Sequence, residues 1–308
     1  MASGESHDSV VLQFVQCTNS NRDIAEAYLS KSSGDLNVAV NAFMDDVAAL
    51  VLAPPDPSRP SASSFTVLTW NIDGLDPGNL VERSRAIEDF IRRTRPDVVL
   101  LQEVVPTSLA AMRRIPGYLV NAPRAEIQSY FCAVMLKLDT VRCRSIAVDD
   151  FEGSEMGRYL LTASVDLCGA NVFLLTAHLE STVNRSTERK AQLARSFAKM
   201  RECGYGTCIL GGDLNLRDAE ARSVGVPDSV HDAWVACGEK LDRKYTWDRS
   251  VNDNLGPFQP RVRCRFDRVY VGARIEVVDF DLVGRERLPS CDRFPSDHFG
   301  ILCTFQVD

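Results

Sequence analysis

The sequence predicts an α/β protein: a four-layer α/β/β/α sandwich, two packed mixed sheets with helices on their outer faces, preceded by a separate small three-helix domain. Three observations predict it. Apolar residues recur at helical spacing through residues 8–46, a Pro/Ser-rich stretch follows, and from Phe65 onward short apolar runs alternate with two long amphipathic segments. Many of the apolar runs succeed one another with no helix between them. A parallel pair needs a long crossover, so strands joined this directly cannot all be parallel. Two mixed sheets with helices outside satisfy the pattern.

The N-terminal helices come first. Val10, Val11, Phe14 and Val15 form one apolar stripe; Ile24, Ala27, Tyr28 and Leu29 a second; Leu36, Ala39, Val40 and Phe43 a third. The i, i+3, i+4 spacing gives each helix one face to bury. Gly34 is placed to stop the second helix and Asp35 to cap the third. Three such stripes cover one another and little else, which makes residues 1–52 a domain of their own. Ala53 to Ser64 then carries four prolines and four serines. It cannot continue a helix and reads as an extended linker over 53–64. The main domain spans 65–308. Its expected strands are 65–71, 97–103, 129–138, 159–167, 170–180, 207–213, 266–272, 275–283 and 299–307, with helices over 79–94 and 184–202.

The 308 residues, 45% of them hydrophobic, suffice for one sizeable core and a small accessory domain. Ten cysteines lie scattered without metal-binding spacing, and the short apolar run Val10 to Val15, with no basic flank, is not expected to be a signal peptide. Free thiols in a reducing compartment are the expectation. No apolar run approaches the ~20 residues of a membrane span, so no membrane partner is expected. The net charge of −7 is concentrated in residues 1–60, which carry −5. The nearly neutral remainder can bind a phosphate backbone if its arginines share one face.

Five segments set polar residues at the ends of apolar runs: Thr69-Trp70-Asn71, Leu101-Gln102-Glu103, Ala177-His178-Leu179-Glu180-Ser181, Gly211-Gly212-Asp213-Leu214-Asn215 and Ser296-Asp297-His298. Strand ends are where a rigid scaffold presents catalytic groups. Asp213 and Asn215, two apart on extended chain, are expected to face one side, with Leu214 toward the core. Each segment alone is weak, since a lone carboxylate after a strand is commonly a cap or a surface group.

Together with Arg265-Phe266-Asp267-Arg268, the segments appear in an order that resembles the exonuclease–endonuclease–phosphatase superfamily, with its DNase-I-like fold. The likeness narrows further. Leu179-Glu180-Ser181-Thr182 after His178, Gly212 to Asp218, Tyr245-Thr246-Trp247-Asp248, Phe294 to Gly300 and Gly157-Arg158-Tyr159-Leu160-Leu161 resemble the tyrosyl-DNA phosphodiesterase 2 family. That family also carries an N-terminal ubiquitin-associated-like domain, which the three helices resemble.

The resemblance implies a Mg²⁺-dependent phosphodiesterase, with Mn²⁺ able to substitute. Glu103 is the expected metal ligand, with Asn71 beside it and Asp73 as a further carboxylate. A hard cation that retains water needs only one or two carboxylates. Several carboxylates brought together without a cation would repel one another. Asp213 is expected to orient or deprotonate the attacking water, and Asn215 to position that water or a phosphate oxygen. His298, held by Asp267, would stabilise the developing charge, and His178 would clamp the phosphate from the other side. Asp267 could instead pair with Arg265 or Arg268, and Asp297 could be purely structural. The resemblance places Tyr130, Arg158, Ser181, Arg217 and Trp247 along a DNA path, with Leu255 and Phe266 extending its apolar wall. Arginine forks suit phosphates and aromatic faces suit unpaired bases; the alternative for Trp247 and Tyr130 is that they are ordinary core residues.

The activity implied is hydrolysis of 5′-phosphotyrosyl bonds between DNA and trapped topoisomerase II. It would leave a 5′-phosphate for double-strand break repair and act on single-stranded or frayed ends. Ubiquitin or ubiquitinated proteins are the implied partners of the helical domain, and the nucleus, with a cytoplasmic share, the implied location. Another superfamily reaction (abasic-site incision, deadenylation, inositide phosphatase work) or a ubiquitin-binding adaptor with an inactive phosphoesterase fold are the competing readings.

Overall fold

The computed structural model describes residues 7–18, 22–43, 64–256 and 262–307. Most of the linker expected over 53–64 lies outside them. The N-terminal part contains α1 (His7–Thr18), α2 (Arg22–Lys31) and α3 (36–43). Val11, Phe14, Ala25, Leu29 and Ala39 are buried together. Phe14, Tyr28 and Phe43 meet ring to ring. The second stripe is corrected by one step: Ala25 and Leu29 face the core, whereas Ile24 and Ala27 are exposed. Gly34, at φ +83°, ends α2 with its N–H on the Leu29 carbonyl. The Asp35 carboxylate accepts the Val38 N–H at 3.0 Å and so caps α3.

The main domain contains two six-stranded sheets. The first runs β13 (Ile275–Val283), β14 (Gly300–Val307), β1 (Ser64–Asn71), β2 (Val98–Val104), β4 (Phe131–Lys137), β3 (Tyr118–Asn121). The second runs β5 (Val141–Asp150), β6 (Tyr159–Leu167), β7 (Ala170–His178), β8 (Cys208–Asp213), β12 (Asp267–Gly272), β9 (Val230–Asp232). A two-stranded ribbon, β10 (Trp247–Asp248) with β11 (Arg263–Cys264), sits apart. Only β1–β2 and β7–β8 pair in parallel among the described strands, and the rest are antiparallel.

Helix α4 (Leu80–Thr94) packs on the outer face of the first sheet, where Phe90 meets Trp70 edge-on, and α5 (Pro106–Arg113) lies beside it. Helix α6 (Ser186–Glu202) covers the second sheet through Leu193, Phe197 and Met200, with α7 (Asp218–Val224) next to it and the short α8 (Ala233–Ala236) near β12. The central strands are therefore buried on both faces, which is why they read as continuous apolar runs. Expected strand positions agree with those observed. Strands β3, β5, β9, β10 and β11 and helices α5, α7 and α8 were not legible. β5 is an edge strand, half exposed, with arginine, serine and aspartate where a buried strand would show apolar residues. All ten cysteines carry free thiols. No described helix is long and apolar enough to cross a membrane.

Candidate active site

The topology brings the polar strand ends to one edge of the sandwich. Asp213 ends β8, with His178 as its register partner on parallel β7 and Asp267 as its partner on antiparallel β12. Asn71 ends β1 of the facing sheet, opposite Gln102 of β2. Gln102 ties the two sheets together beneath the site, donating to Thr69 Oγ1 at 3.3 Å and to Thr176 Oγ1 at 2.9 Å. Gly212 is obligatory here: a Cβ would lie 2.2 Å from the Ala177 carbonyl oxygen.

Asp213 Oδ2 is the centre of the set. Asn71 Nδ2 donates to it at 2.9 Å, His178 Nε2 lies at 3.3 Å and His298 Nε2 at 3.8 Å. Oδ1 accepts the Asn215 N–H at 2.9 Å. Burial alone would raise this carboxyl's pKa; the two histidines and the two amide donors outweigh it and hold it below the usual carboxylate range. The histidines diverge. Burial, then the Arg158 charge, pushes His178 down to about 3, so it is a neutral ring. Burial would also discharge His298, but Asp267 at 2.7 Å from its Nδ1, backed by Asp297 and Asp213, pushes it well above its ordinary value. One side of the cleft thus carries a neutral imidazole and the other an imidazolium whose Nε2 faces the gap.

The carboxylate end is built under strain. Glu103 sits at φ +52° in an irregularity where β2 leaves its register with β4, and Asp73 and Asn215 are also left-handed. Positive φ in non-glycine residues is costly and collects at functional sites. Gly74 permits the Glu103 turn, since a Cβ there would meet the Glu103 carbonyl at 2.1 Å. Burial and the charge of Asp297 push both Glu103 and Asp73 up to about 7, Arg83 opposing at Asp73. His178 Nδ1 is buried without a hydrogen-bond partner, 3.9 Å from Glu103. Under-neutralised carboxylates beside an orphaned acceptor fit a hydrated divalent cation. Asn71 meets this end with its amide nitrogen, 3.2 Å from Glu103, while its oxygen accepts the Asp73 N–H. Asn71 thus holds Glu103 as a donor.

One further expectation is corrected, and one alternative falls away. The chain is not extended through Asn215: β8 stops at Asp213 and Asn215 turns left-handed, so its side chain reaches Leu179 O and Ser181 Oγ instead of lining up with Asp213. Leu214 is buried as expected. The salt bridge that competed for Asp267 is absent, because Arg265 and Arg268 pair with Asp218 and Asp232. Asp297 accepts the Trp247 indole N–H at 3.0 Å.

The residues expected along a DNA path form two flanks. On one, Arg158 stacks over Tyr130 at 5.3 Å and donates to Ser181 Oγ at 3.2 Å. On the other, Trp247 and Phe266 lie 5.5 Å apart, both half-buried, with Arg217 over Phe266 at 5.8 Å. Neither Trp247 nor Tyr130 is a core residue. Leu255 is exposed in the loop after β10, and none of the described contacts joins it to the site. Residue-by-residue reading missed the supports. Ser296 Oγ donates to Asn71 O at 2.6 Å and accepts the His298 N–H, which explains the serine of the Ser-Asp-His segment. Thr246 Oγ1 accepts the Asp267 N–H. Arg83, fully buried on α4, donates to Gly78, Asp73, Asp76 and Pro295 carbonyls or carboxylate and pins the loop after β1. An arginine in an amphipathic helix gives no signal of that.

The endonuclease/exonuclease/phosphatase family model matches residues 68–298, and a UBA-like domain model matches residues 8–49. Tyrosyl-DNA phosphodiesterase 2 of Gallus gallus is 42% identical over 252 residues, 80% of this chain and 68% of that protein. Among solved structures, Danio rerio TDP2 complexed with single strand DNA product is similar at TM-score 0.75 and 36% identity, covering 80% of this chain and 100% of that one. TDP2 from Caenorhabditis elegans is similar at TM-score 0.74 and 33% identity, covering 100% of this chain and 95% of that one. With its DNase-I-like sandwich, its UBA-like N-terminal helices and its Asn71–Glu103–Asp213–His298 site, the chain belongs to the endonuclease/exonuclease/phosphatase family, as a phosphodiesterase of the tyrosyl-DNA phosphodiesterase 2 group.

Proposed function

We propose that the chain hydrolyses the phosphodiester joining a DNA 5′ end to a tyrosine of trapped topoisomerase II, using Mg²⁺ and leaving a 5′-phosphate for break repair. The observation that carries this reading is the pairing of a complete phosphate-hydrolysing set with an arginine–aromatic flank on each side. The complex of the Danio rerio relative with a single strand DNA product supports it. Asp213, ionised and held by the Asn71 amide and the Asn215 N–H, keeps lone pairs free to orient the attacking water. His178 and the charged His298 close on the phosphate from two sides, and His298 donates through Nε2 because Asp267 occupies Nδ1. The leaving phenolate, with a reference pKa of about 10, departs without a dedicated general acid.

Asp213, Asp267 and His298 offer ligand atoms within 4.8 Å of one another. Their hydrogen bond and the positive imidazolium make them a poor cation site, so we assign the cation to Glu103, held by Asn71. Mg²⁺, or Mn²⁺ in its place, would neutralise charge on the phosphate when bound. The UBA-like helices expose Leu12, Ile24 and Val38, which suits weak docking of ubiquitin or a ubiquitinated protein. Nuclear placement with a cytoplasmic share accords with repair work on DNA.

The test is a single-stranded oligonucleotide with a 5′-phosphotyrosine, incubated with Mg²⁺ or EDTA. A 3′-phosphotyrosyl strand and an abasic duplex run in parallel, with Asp213→Asn as the inactive control. Metal-dependent release of a 5′-phosphate end, lost in the variant, is expected. Cleavage of the abasic duplex alone would transfer the function to another reaction of the family.

A further inference from the structure

The arginines of the two flanks belong to different loops, Arg158 between β5 and β6 and Arg217 after β8. A continuous series of hydrogen-bonded residues runs between them. Arg189, on α6 and fully buried, sits at the middle. Its Nη1 donates to the carbonyls of Glu180 and Thr182, both at 2.8 Å, and its Nε and Nη2 donate to the Glu220 carboxylate at 3.3 and 2.5 Å. Glu220 Oε2 also accepts the backbone N–H of Arg217 at 2.8 Å, which places the second flank. On the other side Glu180, likewise fully buried, accepts from Ser154 Oγ at 2.6 Å and Met156 N at 3.2 Å. Ser154 Oγ in turn accepts the backbone N–H of Arg158 at 2.7 Å, which places the first flank. Thr182 turns at φ +71°, so that two carbonyls two residues apart converge on one guanidinium. Ser181, between them, receives both Arg158 and Asn215.

We infer that Glu180, Arg189 and Glu220 are positioning residues, a buried strut that sets the distance between Arg158 and Arg217 and so matches the cleft to a nucleic-acid strand. None of the three touches the reacting atoms. A buried ion pair contributes little to stability compared with apolar residues of similar volume and is best used to specify geometry. A planar guanidinium with five donors does this where a lysine cannot. A strand that must satisfy both arginines depends on their spacing, whereas a substrate ending at its first nucleotide does not. The inference rests on the DNA reading proposed above.

Two variants test it, Arg189→Lys and the double apolar change Arg189→Met with Glu220→Met. The second guards against an unpaired buried charge that prevents folding. Each is assayed on the 5′-phosphotyrosyl oligonucleotide and on thymidine 5′-(4-nitrophenyl phosphate), with thermal melting as the folding control. KM for the oligonucleotide is expected to rise about tenfold or more with kcat nearly unchanged, while kcat/KM for the one-nucleotide ester stays within about threefold. A folded double variant with an unchanged oligonucleotide KM would overturn the strut. Failure of both variants to fold would assign the residues to stability and overturn it as well. A wild-type protein that cleaves the ester but not the oligonucleotide adduct would instead remove the DNA reading, and the strut's purpose with it.

Discussion

One buried carboxylate oxygen, Asp213 Oδ2, is approached by Asn71, His178 and His298, and of the two imidazoles beside it one is neutral and the other charged. The difference comes from one partner: Asp267 lies 2.7 Å from His298, whereas Arg158 is the main charge acting on His178. Asp267→Asn keeps the shape and removes the charge. Losing that anion lowers the His298 pKa, so the imidazolium is lost at a lower pH. The alkaline limb of the kcat profile is expected to move downward, with kcat near neutrality reduced by about 10²-fold. An unmoved limb in a pH–rate series would show that His298 does not supply the charge. The residue types at this site were legible because they stand in ordered segments at strand ends. The direction of the Asn71 amide and the turn at Asn215 were not, because both depend on carboxylates and backbone groups supplied from distant parts of the chain.

Helix α7 is short, yet it anchors two ion-pair systems, Glu220 with Arg189 and Asp218 with Arg268, Lys244 and Arg265. Burial would raise both carboxyls; the cations outweigh it and depress each to about 2. Their folded pKa values lie below the unfolded ones near ~4, so their contribution is complete above pH ~4 and is lost as pH falls through ~2. The share of the melting temperature that these two carboxylates supply is expected to be constant above about pH 4 and to be lost between about pH 4 and pH 2. The Arg189→Met, Glu220→Met protein should show a shallower drop in calorimetry. None of this was visible in the sequence, where α7 is seven mostly polar residues without a pronounced apolar face. The long α6 and the doubly buried strands, by contrast, announced themselves through periodicity and continuous apolar runs.

Across the whole molecule, the site joins the ends of two sheets whose carboxylates would be far apart on the unfolded chain. Folding concentrates Glu103, Asp73, Asp213 and Asp297 at one edge and removes them from water. A divalent cation that binds only the folded state should raise the melting temperature with its concentration. Glu103→Gln removes one of the repelling charges at constant volume. That variant is expected to melt above the wild type in EDTA, to gain nothing from Mg²⁺, and to be inactive. A variant that keeps the Mg²⁺-dependent rise would move the cation away from Glu103.

The order of residues along the chain was enough to divide it into a helical N-terminal part and a sandwich, to mark most of the strands, and to name the residue types of the catalytic set. These are local properties: apolar spacing selects the element, and a polar residue at the end of an apolar run ends up at a sheet edge. Packing in three dimensions was needed to settle which imidazole is charged, which atom of Asn71 faces Glu103, and how Arg189 links Glu180 to Glu220. Each depends on the distance between groups many residues apart, and that distance exists only after the two sheets have packed.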